Sequence, residues 1–247
     1  TTATDSHNTA VGYNAGGDVT TGVQNTLIGG LAGDAITTGG DNVHIGYLSG
    51  SAATDSNHNT SVGSHSLAAN TGGQNTAVGR DALAANTTAS FNTAVGRSAG
   101  AALTEGNRNV AIGKDALLTD TLGSRSVAVG LGALQTQNFT TATDTYNLAV
   151  GYGAGGAVTT GIQNTLIGGL AGDVLTDADY NVAVGVSALG ADTLGSQSTA
   201  IGYSALTNQN FTTATNSLNT AVGYQAGVAV TTGTSNNLVG GLAGDAL

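Results

Sequence analysis

The sequence predicts an all-β fold, a parallel β-solenoid of about fourteen coils, and three observations support this prediction. First, a Val or Ile precedes Gly fourteen times; ten of the thirteen intervals between these glycines are 17 residues, one is 16 and two are 21. A fixed period of this length is typical of one structural unit stacked on itself. Second, the residue before each glycine is β-branched, which favours strands. Third, several glycines per repeat and recurring Thr-Thr-Gly segments argue against a three-turn helix. We therefore expect residues 1–247 to form a single repeat array.

Each repeat has room for two strands of about five residues and two turns. At the first repeat, alternation along the strand places Thr9, Val11 and Tyr13 on one face and Ala10 and Gly12 on the other. The chain has only ten aromatic residues, so we expect a thin core lined by Ala, Val, Ile and Leu. Fourteen coils stacked at about 4.8 Å would give a rod of roughly 65 Å.

Two positions are predicted to shape the turns of every coil. The residue four before the glycine is Asn in twelve repeats and Ser in two, and its side chain is expected to bond the backbone and to stack as a ladder. The glycine is expected at a bend or at a contact too close for a Cβ. The Ala or Ser three residues after it implies a second tight contact, inside the coil or between subunits. The residues assigned to the turn and bend are Asn8, Gly12, Asn25, Gly29, Asn75, Gly79, Asn147, Gly151, Asn219 and Gly223.

The two 21-residue repeats contain the same segment, Gln137–Thr143 and Gln209–Thr215. Extra residues in a solenoid extend a turn outward without interrupting the stack. Each segment carries one Phe, so Phe139 and Phe211 are candidates for contact with a surface glycan at the tip of the turn. The alternative is a hydrophobic plug that holds the turn against its neighbour, which we favour because an exposed Phe is costly.

The repeat Asn8–Gly16, Asn-Thr-Ala-Val-Gly-Tyr-Asn-Ala-Gly, has close copies throughout the chain. It resembles the YadA-like head repeat of trimeric autotransporter adhesins, which also occurs in bacteriophage tail fibres. The resemblance implies a left-handed parallel β-roll and a side-by-side homotrimer. It also implies an extracellular fibre segment, on a virion tail or a bacterial cell surface, that mediates or displays attachment to a host cell. The family's coil is shorter, so we expect longer turns here.

Composition limits the partners that we expect. The formal net charge of −10 disfavours nucleic acid and anionic membranes. The sequence has no apolar run of 18 residues, so no membrane insertion is expected in this segment. A thin roll buries little apolar area, which independently favours association into an oligomer. The chain has no Met, and Thr1–Asn8 matches the middle of an internal repeat, so we expect a fragment of a longer chain.

The residue directly after the glycine supplies the other candidate contacts with a cell-surface glycan or receptor. Arg80, Arg97 and Lys114 occupy it in three consecutive coils and are expected to stack as a basic stripe. The stripe would bind an anionic glycan or, as we favour, would be a solvated face neutralised by nearby Asp and Glu, namely Asp81, Asp115 and Glu105. Five tyrosines occupy the same position and are platforms for a sugar or contacts between subunits, two alternatives that stay open. They are Tyr13, Tyr47, Tyr152, Tyr203 and Tyr224.

We expect no enzyme, because the sequence shows no nucleophile, base and orienter set and no phosphate-binding motif. No cofactor and no metal are expected, since the four histidines share no repeated spacing. Two other functions stay open. One is a purely mechanical spacer without receptor contact. The other is a monomeric ice-binding solenoid, indicated by Thr9, Thr26, Thr60, Thr76 and Thr93 at one coil position, although Val43, Val110, Val127 and Leu148 interrupt that row.

Overall fold

The computed structural model describes residues 5–246, and in it one short strand recurs in every coil. Fourteen three-residue strands form one parallel sheet in sequence order, and four two-residue strands form two small parallel pairs. The three-residue strands are β1 (Thr9–Val11), β2 (Thr26–Ile28), β3 (Val43–Ile45), β4 (Thr60–Val62), β5 (Thr76–Val78), β6 (Thr93–Val95), β7 (Val110–Ile112), β9 (Val127–Val129), β11 (Leu148–Val150), β12 (Thr165–Ile167), β13 (Val182–Val184), β15 (Thr199–Ile201), β17 (Thr220–Val222) and β18 (Asn237–Val239). The two-residue strands are β8 (Gly123–Ser124), β10 (Thr143–Asp144), β14 (Gly195–Ser196) and β16 (Thr215–Asn216).

The chain is thus a parallel β-solenoid of about fourteen coils, as the sequence predicts. We number the coils 1 to 14 by the glycine that follows each strand of the large sheet, from Gly12 to Gly240. The termini of the predicted 1–247 array, residues 1–4 and 247, lie outside the described residues, and so does the first half of the segment Thr1–Asn8. Residues 5–246 include no helix long and apolar enough to cross a membrane.

Neighbouring strands pair in register along the whole sheet. Strand β9 in coil 8 pairs directly with β11 in coil 9, although the interval between them is the first of the two 21-residue repeats. Strand β15 pairs with β17 across the second in the same way. The four extra residues therefore lie in the turns, where they add the small pairs β8–β10 and β14–β16.

The strands are shorter than predicted, three residues instead of about five, and most coils lack a second strand. The reason is left-handed backbone at three positions of each coil, which in coil 5 are Gln74, Asp81 and Leu83. A positive φ breaks the extended conformation of a strand. Backbone hydrogen bonds still join one turn to the next, for example from Leu83 N to Ala99 O at 3.0 Å. The second side of the coil is therefore held by bonds between turns.

The core contains mainly Ala and Leu, together with a few Val and Ile from the turns such as Ile36 and Val158, whereas the Val and Ile of the strands do not line it. A three-residue strand directs only its middle side chain inward, so the Val or Ile at its end faces outward. In coil 6 the middle residue Ala94 is fully buried and the terminal Val95 is exposed. The Ala three residues after the glycine and the following Leu fill the rest of the interior, as Ala116 and Leu117 do in coil 7. The second tight contact of each repeat therefore lies inside the coil.

The recurring Asn side chains form a buried ladder between coils. Asn92 Oδ1 accepts a hydrogen bond from Asn109 N at 2.8 Å, and Asn92 Nδ2 donates to Gly106 O at the adjacent turn, also at 2.8 Å. Each side chain thus satisfies one backbone group of its neighbour and one of a turn, as expected from the sequence. The turn bond recurs at Asn8, Asn25, Asn75, Asn147 and Asn219.

The glycine that follows each strand is needed for two reasons at once. Its φ lies between 126° and 141° in all fourteen coils, a region that L side chains rarely adopt. In coils 1 to 13 a Cβ would also collide with the next coil, as at Gly113, where it would lie 2.4 Å from Gly130 O. Gly12, Gly29, Gly79, Gly151 and Gly223 share this geometry.

Candidate ligand-binding surfaces

The large sheet presents a row of apolar side chains to solvent. We call it the outer face: the side chains of the first and third residues of the fourteen strands. The third residue is always Val or Ile, so that the outer face carries a ladder of β-branched apolar side chains from coil 1 to coil 14. Seven members of the ladder are more than a third exposed: Val11, Ile28, Val95, Ile112, Ile167, Ile201 and Val239. A row of exposed apolar side chains is a candidate interaction surface.

The predicted basic stripe exists, and acidic side chains neutralise it. Arg97 Nη2 and Lys114 Nζ lie 3.6 and 3.2 Å from Asp115 Oδ2, and Arg80 Nη1 lies 3.5 Å from Asp81 Oδ2. About half of each basic side chain is exposed, so these pairs add little stability. This arrangement favours a solvated face over a site for an anionic glycan, although Glu105 takes no part in any ion pair among the described residues.

The tyrosines after the glycine are exposed and differ in their surroundings. Tyr224 stacks on Tyr203 of the preceding coil, with ring centroids 5.6 Å apart and 11° between the ring planes. Tyr47 meets the ring of His65 edge-on. Tyr13 lies in the terminal coil and is 83% exposed. Tyr152, 62% exposed, forms a wall of a surface depression.

Phe139 and Phe211 are buried, each only 6% exposed, and act as plugs under the two long turns. Their burial removes both rings from the candidate contacts with a glycan. Phe139 N donates to Asp120 Oδ1 at 3.1 Å, and Phe211 N donates to Asp192 Oδ1 at 3.0 Å. The long turn is thus attached to the preceding coil through the backbone of its Phe.

A buried polar network completes this attachment and occurs twice. In the first copy Gln137 Nε2 donates to Asp120 Oδ2 at 2.6 Å and to Ser126 Oγ at 2.8 Å, and Gln137 Oε1 accepts from Asn147 Nδ2 at 2.8 Å. Ser126 is one of the two positions at which Ser replaces the ladder Asn. Gln137 thus supplies the amide that is missing there. We call this the long-turn network; its second copy consists of Asp192, Ser198, Gln209 and Asn219.

A column of aromatic and basic side chains in the turns before the strands was not predicted from the sequence. The Arg108 guanidinium lies 5.4 Å from the ring centroid of Phe91, and Arg125 lies at the same distance from Tyr146. Arg125 also pairs with Asp144 at 3.2 Å. All four stacked residues stand five positions before the repeat glycine, so aligning the repeats on that position would have shown the column.

Four buried polar residues interrupt the apolar interior near the N-terminal end. His44 Nδ1 lies 2.6 Å from Ser61 Oγ. Ser49 Oγ lies 2.5 Å from Ser61 Oγ and 3.1 Å from Ser66 Oγ. His44 Nε2 is buried without a hydrogen-bond partner. Burial lowers the pKa of His44 to about 4. A Ser–His contact can activate a nucleophile, but all four side chains are sealed inside the coils, where no substrate reaches them.

The depression at Tyr152 has a volume of about 290 Å³ and spans coils 8 to 10. Leu131 and Leu170 line it together with Tyr152, and Gln135 and Asp173 contribute polar groups. Partial burial raises the pKa of the Asp173 carboxyl, an effect that a hydrogen bond from its own backbone opposes.

Within residues 5–246, no three His, Cys, Asp or Glu side chains come together in a way that could hold a metal ion. Comparison of the chain with protein-family models, with curated proteins and with solved structures gave no match.

Proposed function

We propose that this chain is a segment of an extracellular homotrimeric fibre, in which three left-handed rolls pack side by side and mediate attachment to a host cell surface. The fibre would belong to a virion tail or to a bacterial cell surface. The observation that carries the proposal is the apolar ladder on the outer face. The repeat's resemblance to YadA-like heads, given above, supports the handedness and the number of chains.

The outer face is suited to cover by further copies of the same chain. It runs through every coil at one constant position, so that parallel copies would meet Val and Ile along their whole length. Burial of apolar surface contributes roughly 25 cal/mol per Å², and the thin Ala and Leu core leaves each roll in need of such burial. A threefold arrangement would let every chain bury its face against the other two.

Attachment by such a fibre would be multivalent. Three chains present each surface contact three times, which raises the overall affinity through effective concentration even when a single contact is weak. In this proposal the in-register sheet gives the fibre the stiffness to hold these contacts in fixed relative positions.

The test compares attachment of the trimer with that of a dissociated variant. Ile112→Glu places a charge on the outer face, and Thr141→Glu places the same charge on an exposed long turn. We expect labelled wild type and Thr141→Glu to bind some members of a panel of intact bacterial and animal cells. Ile112→Glu should keep its circular dichroism spectrum, dissociate, and bind at least about tenfold more weakly. A trimer that attaches to no cell of the panel would instead indicate a mechanical spacer.

A second candidate, an ice-binding monomer, is favoured by one observation. The Thr that begins many strands lies on the outer face, because the first and third strand residues point away from the core. Thr76, Thr93 and their equivalents therefore form an outward row on a regular sheet, interrupted at Val110 and Val127. Thermal hysteresis of a monomeric chain in solution would support this function, and a trimer that covers the row would exclude it.

A further inference from the structure

The depression beside Tyr152 exists because of two glycines in one coil. Gly153 and Gly156 stand two and five residues after the repeat glycine Gly151, and coil 9 is the one coil of the fourteen with Gly at both positions. Elsewhere at least one of the two carries a side chain. In coil 8 the second position holds Gln135, and in coil 10 it holds Asp173. The missing side chains leave an opening beside Tyr152, between Leu131 and Leu170.

The walls of the depression differ in chemistry. The ring of Tyr152 and the side chains of Leu131 and Leu170 form an apolar part. Gln135 and Asp173, one coil to either side of Gly156, supply an amide and a carboxyl group. Neither side chain is hydrogen-bonded to another residue within 5–246, so both are available to a ligand.

An aromatic wall combined with a few polar groups fits a sugar ring. The faces of a pyranose carry C–H groups that pack on an aromatic ring, and its hydroxyl groups exchange hydrogen bonds with amides and carboxyls. A depression of about 290 Å³ lies at the lower end of ligand-pocket volumes, roughly 300 to 1,000 Å³, so it suits one ring better than a long chain. The Asp173 carboxyl and the net charge of −10 disfavour an anionic sugar.

We infer that the depression in coil 9 is a subsite for one neutral pyranose ring of a cell-surface glycan, stacked on Tyr152 and hydrogen-bonded by Gln135 and Asp173. The inference rests on the proposed attachment function and specifies the chemical class that is recognised. In a trimer the subsite would occur three times, so weak binding of single rings would suffice.

The test fills the depression without changing the fold. Gly156→Gln introduces the side chain that coil 8 carries at the same position, and the backbone of Gly156 has no positive φ. Gly190→Gln makes the same change at the equivalent position of coil 11, outside the depression. The neighbours of the new Cβ are closely matched, with nearest atoms at 3.2 Å and 3.1 Å. Tyr152→Ala removes the stacking surface and leaves the opening.

The probes are the methyl glycosides of glucose, galactose, mannose and N-acetylglucosamine, with sialic acid as the anionic counterpart, in saturation-transfer NMR at pH 7. We expect at least one neutral glycoside to bind wild type and Gly190→Gln, and sialic acid to give no signal. Gly156→Gln and Tyr152→Ala should weaken binding tenfold or more. The inference is overturned if none of the four glycosides binds wild type, or if Gly156→Gln binds as well as wild type.

Cell attachment of the same variants separates this inference from the function on which it rests. Wild-type trimer that attaches to cells only as strongly as Gly156→Gln would overturn the subsite and leave the attachment function standing. Wild-type trimer that attaches to no cell would overturn the attachment function. If Gly156→Gln loses attachment and Gly190→Gln keeps it, the result supports both the subsite and the attachment function.

Discussion

The repeat glycine combines a backbone requirement with a steric one, and the chain offers positions that separate the two. Gly113 has φ +129°, and a Cβ on this residue would lie 2.4 Å from the carbonyl oxygen of Gly130. Gly240 in the last coil has φ +126°, but a Cβ there would have no atom within 4 Å. Gly169 has neither constraint. Substitution by Ala therefore adds a collision and backbone strain at Gly113. It adds strain alone at Gly240 and neither effect at Gly169.

We expect the substitution Gly113→Ala to lower the free energy of unfolding by more than about 3 kcal/mol, because it adds a backbone collision to strain. Gly240→Ala should cost about 1 to 3 kcal/mol from strain alone, and Gly169→Ala less than about 0.5 kcal/mol. Urea unfolding followed by circular dichroism measures all three. Equal losses for Gly113→Ala and Gly240→Ala would contradict the steric role of the repeat glycine, and a loss for Gly240→Ala as small as that of Gly169→Ala would contradict the backbone strain.

His44 makes the interior sensitive to acid. The folded chain holds this imidazole in an uncharged environment, and its neighbours Ser61 and Ser49 offer hydroxyl groups but no opposite charge. Burial lowers its pKa from 6.5 to about 4. Between these two pH values the unfolded chain binds a proton at His44 that the folded chain does not. The free energy of unfolding therefore falls as the pH is lowered through this range.

The contribution of His44 to this fall amounts to about 3 kcal/mol between pH 7 and pH 4. We expect His44→Leu to remove it, because Leu27 occupies the same position in coil 2 and shows that the interior accepts this side chain. Urea unfolding of both proteins at pH 7 and pH 4 measures the difference, and the carboxyl groups that both share cancel in the comparison. If wild type and variant lose the same free energy on acidification, His44 is not buried and uncharged as described.

At the scale of single elements, the long turns depend on the long-turn network and on the Phe plugs. Gln137 bridges Asp120, Ser126 and Asn147 with one amide, all of them buried. Removing that amide would leave the buried Asp120 carboxyl group one donor short. It would also leave Asn147 Nδ2 with Gly161 O as its remaining acceptor. Unpaired buried polar groups cost more than the lost bonds themselves.

We expect the near-isosteric substitution Gln137→Leu to destabilise the chain by about 2 to 4 kcal/mol, and Gln209→Leu to do the same in the second copy. Gln163→Leu changes an exposed side chain and serves as the control, with an effect below about 0.5 kcal/mol. Hydrogen exchange should show faster opening in coils 7 to 9 for Gln137→Leu. A loss as small as that of the control would mean that the network does not hold the turn.

Comparison of the strands and turns with the sequence shows which of their features the repeat predicts. The period, the parallel order and the Asn ladder follow from residues that recur in every repeat, so one coil predicts the others. The strand length could not be predicted from the recurring residues. Asp81 and Leu83 adopt left-handed backbone, although neither is the Gly or Asn that usually indicates this conformation. The outward direction of the strand Val and Ile was not predicted, because alternation along a strand separates two faces without showing which of them meets the core.

The candidate site was predictable only in part. Tyr152 stands in an evident row of tyrosines, but the depression beside it comes from side chains absent at Gly153 and Gly156, which a search for reactive residues overlooks. His44 and Ser61 stand at equivalent positions of adjacent coils, and Ser49 and Ser66 replace the usual Ala. Their contact could have been predicted by aligning the repeats, because residues 17 apart lie side by side.

For the whole molecule, the central question is what covers the outer face. The coils stack into an acidic rod with a narrow Ala and Leu interior and a ladder of Val and Ile exposed along one side. A single chain would leave this ladder in contact with water, at a cost that grows with every coil. Three copies could bury it together and at the same time leave the coil 9 depression for attachment.

The most direct test is the mass of the purified chain in solution, from light scattering after size exclusion. A homotrimer predicts three times the chain mass of 23.8 kDa, independent of concentration over the micromolar range. A single species of 23.8 kDa would contradict the trimeric fibre, because the outer face would then be a free surface of a monomer.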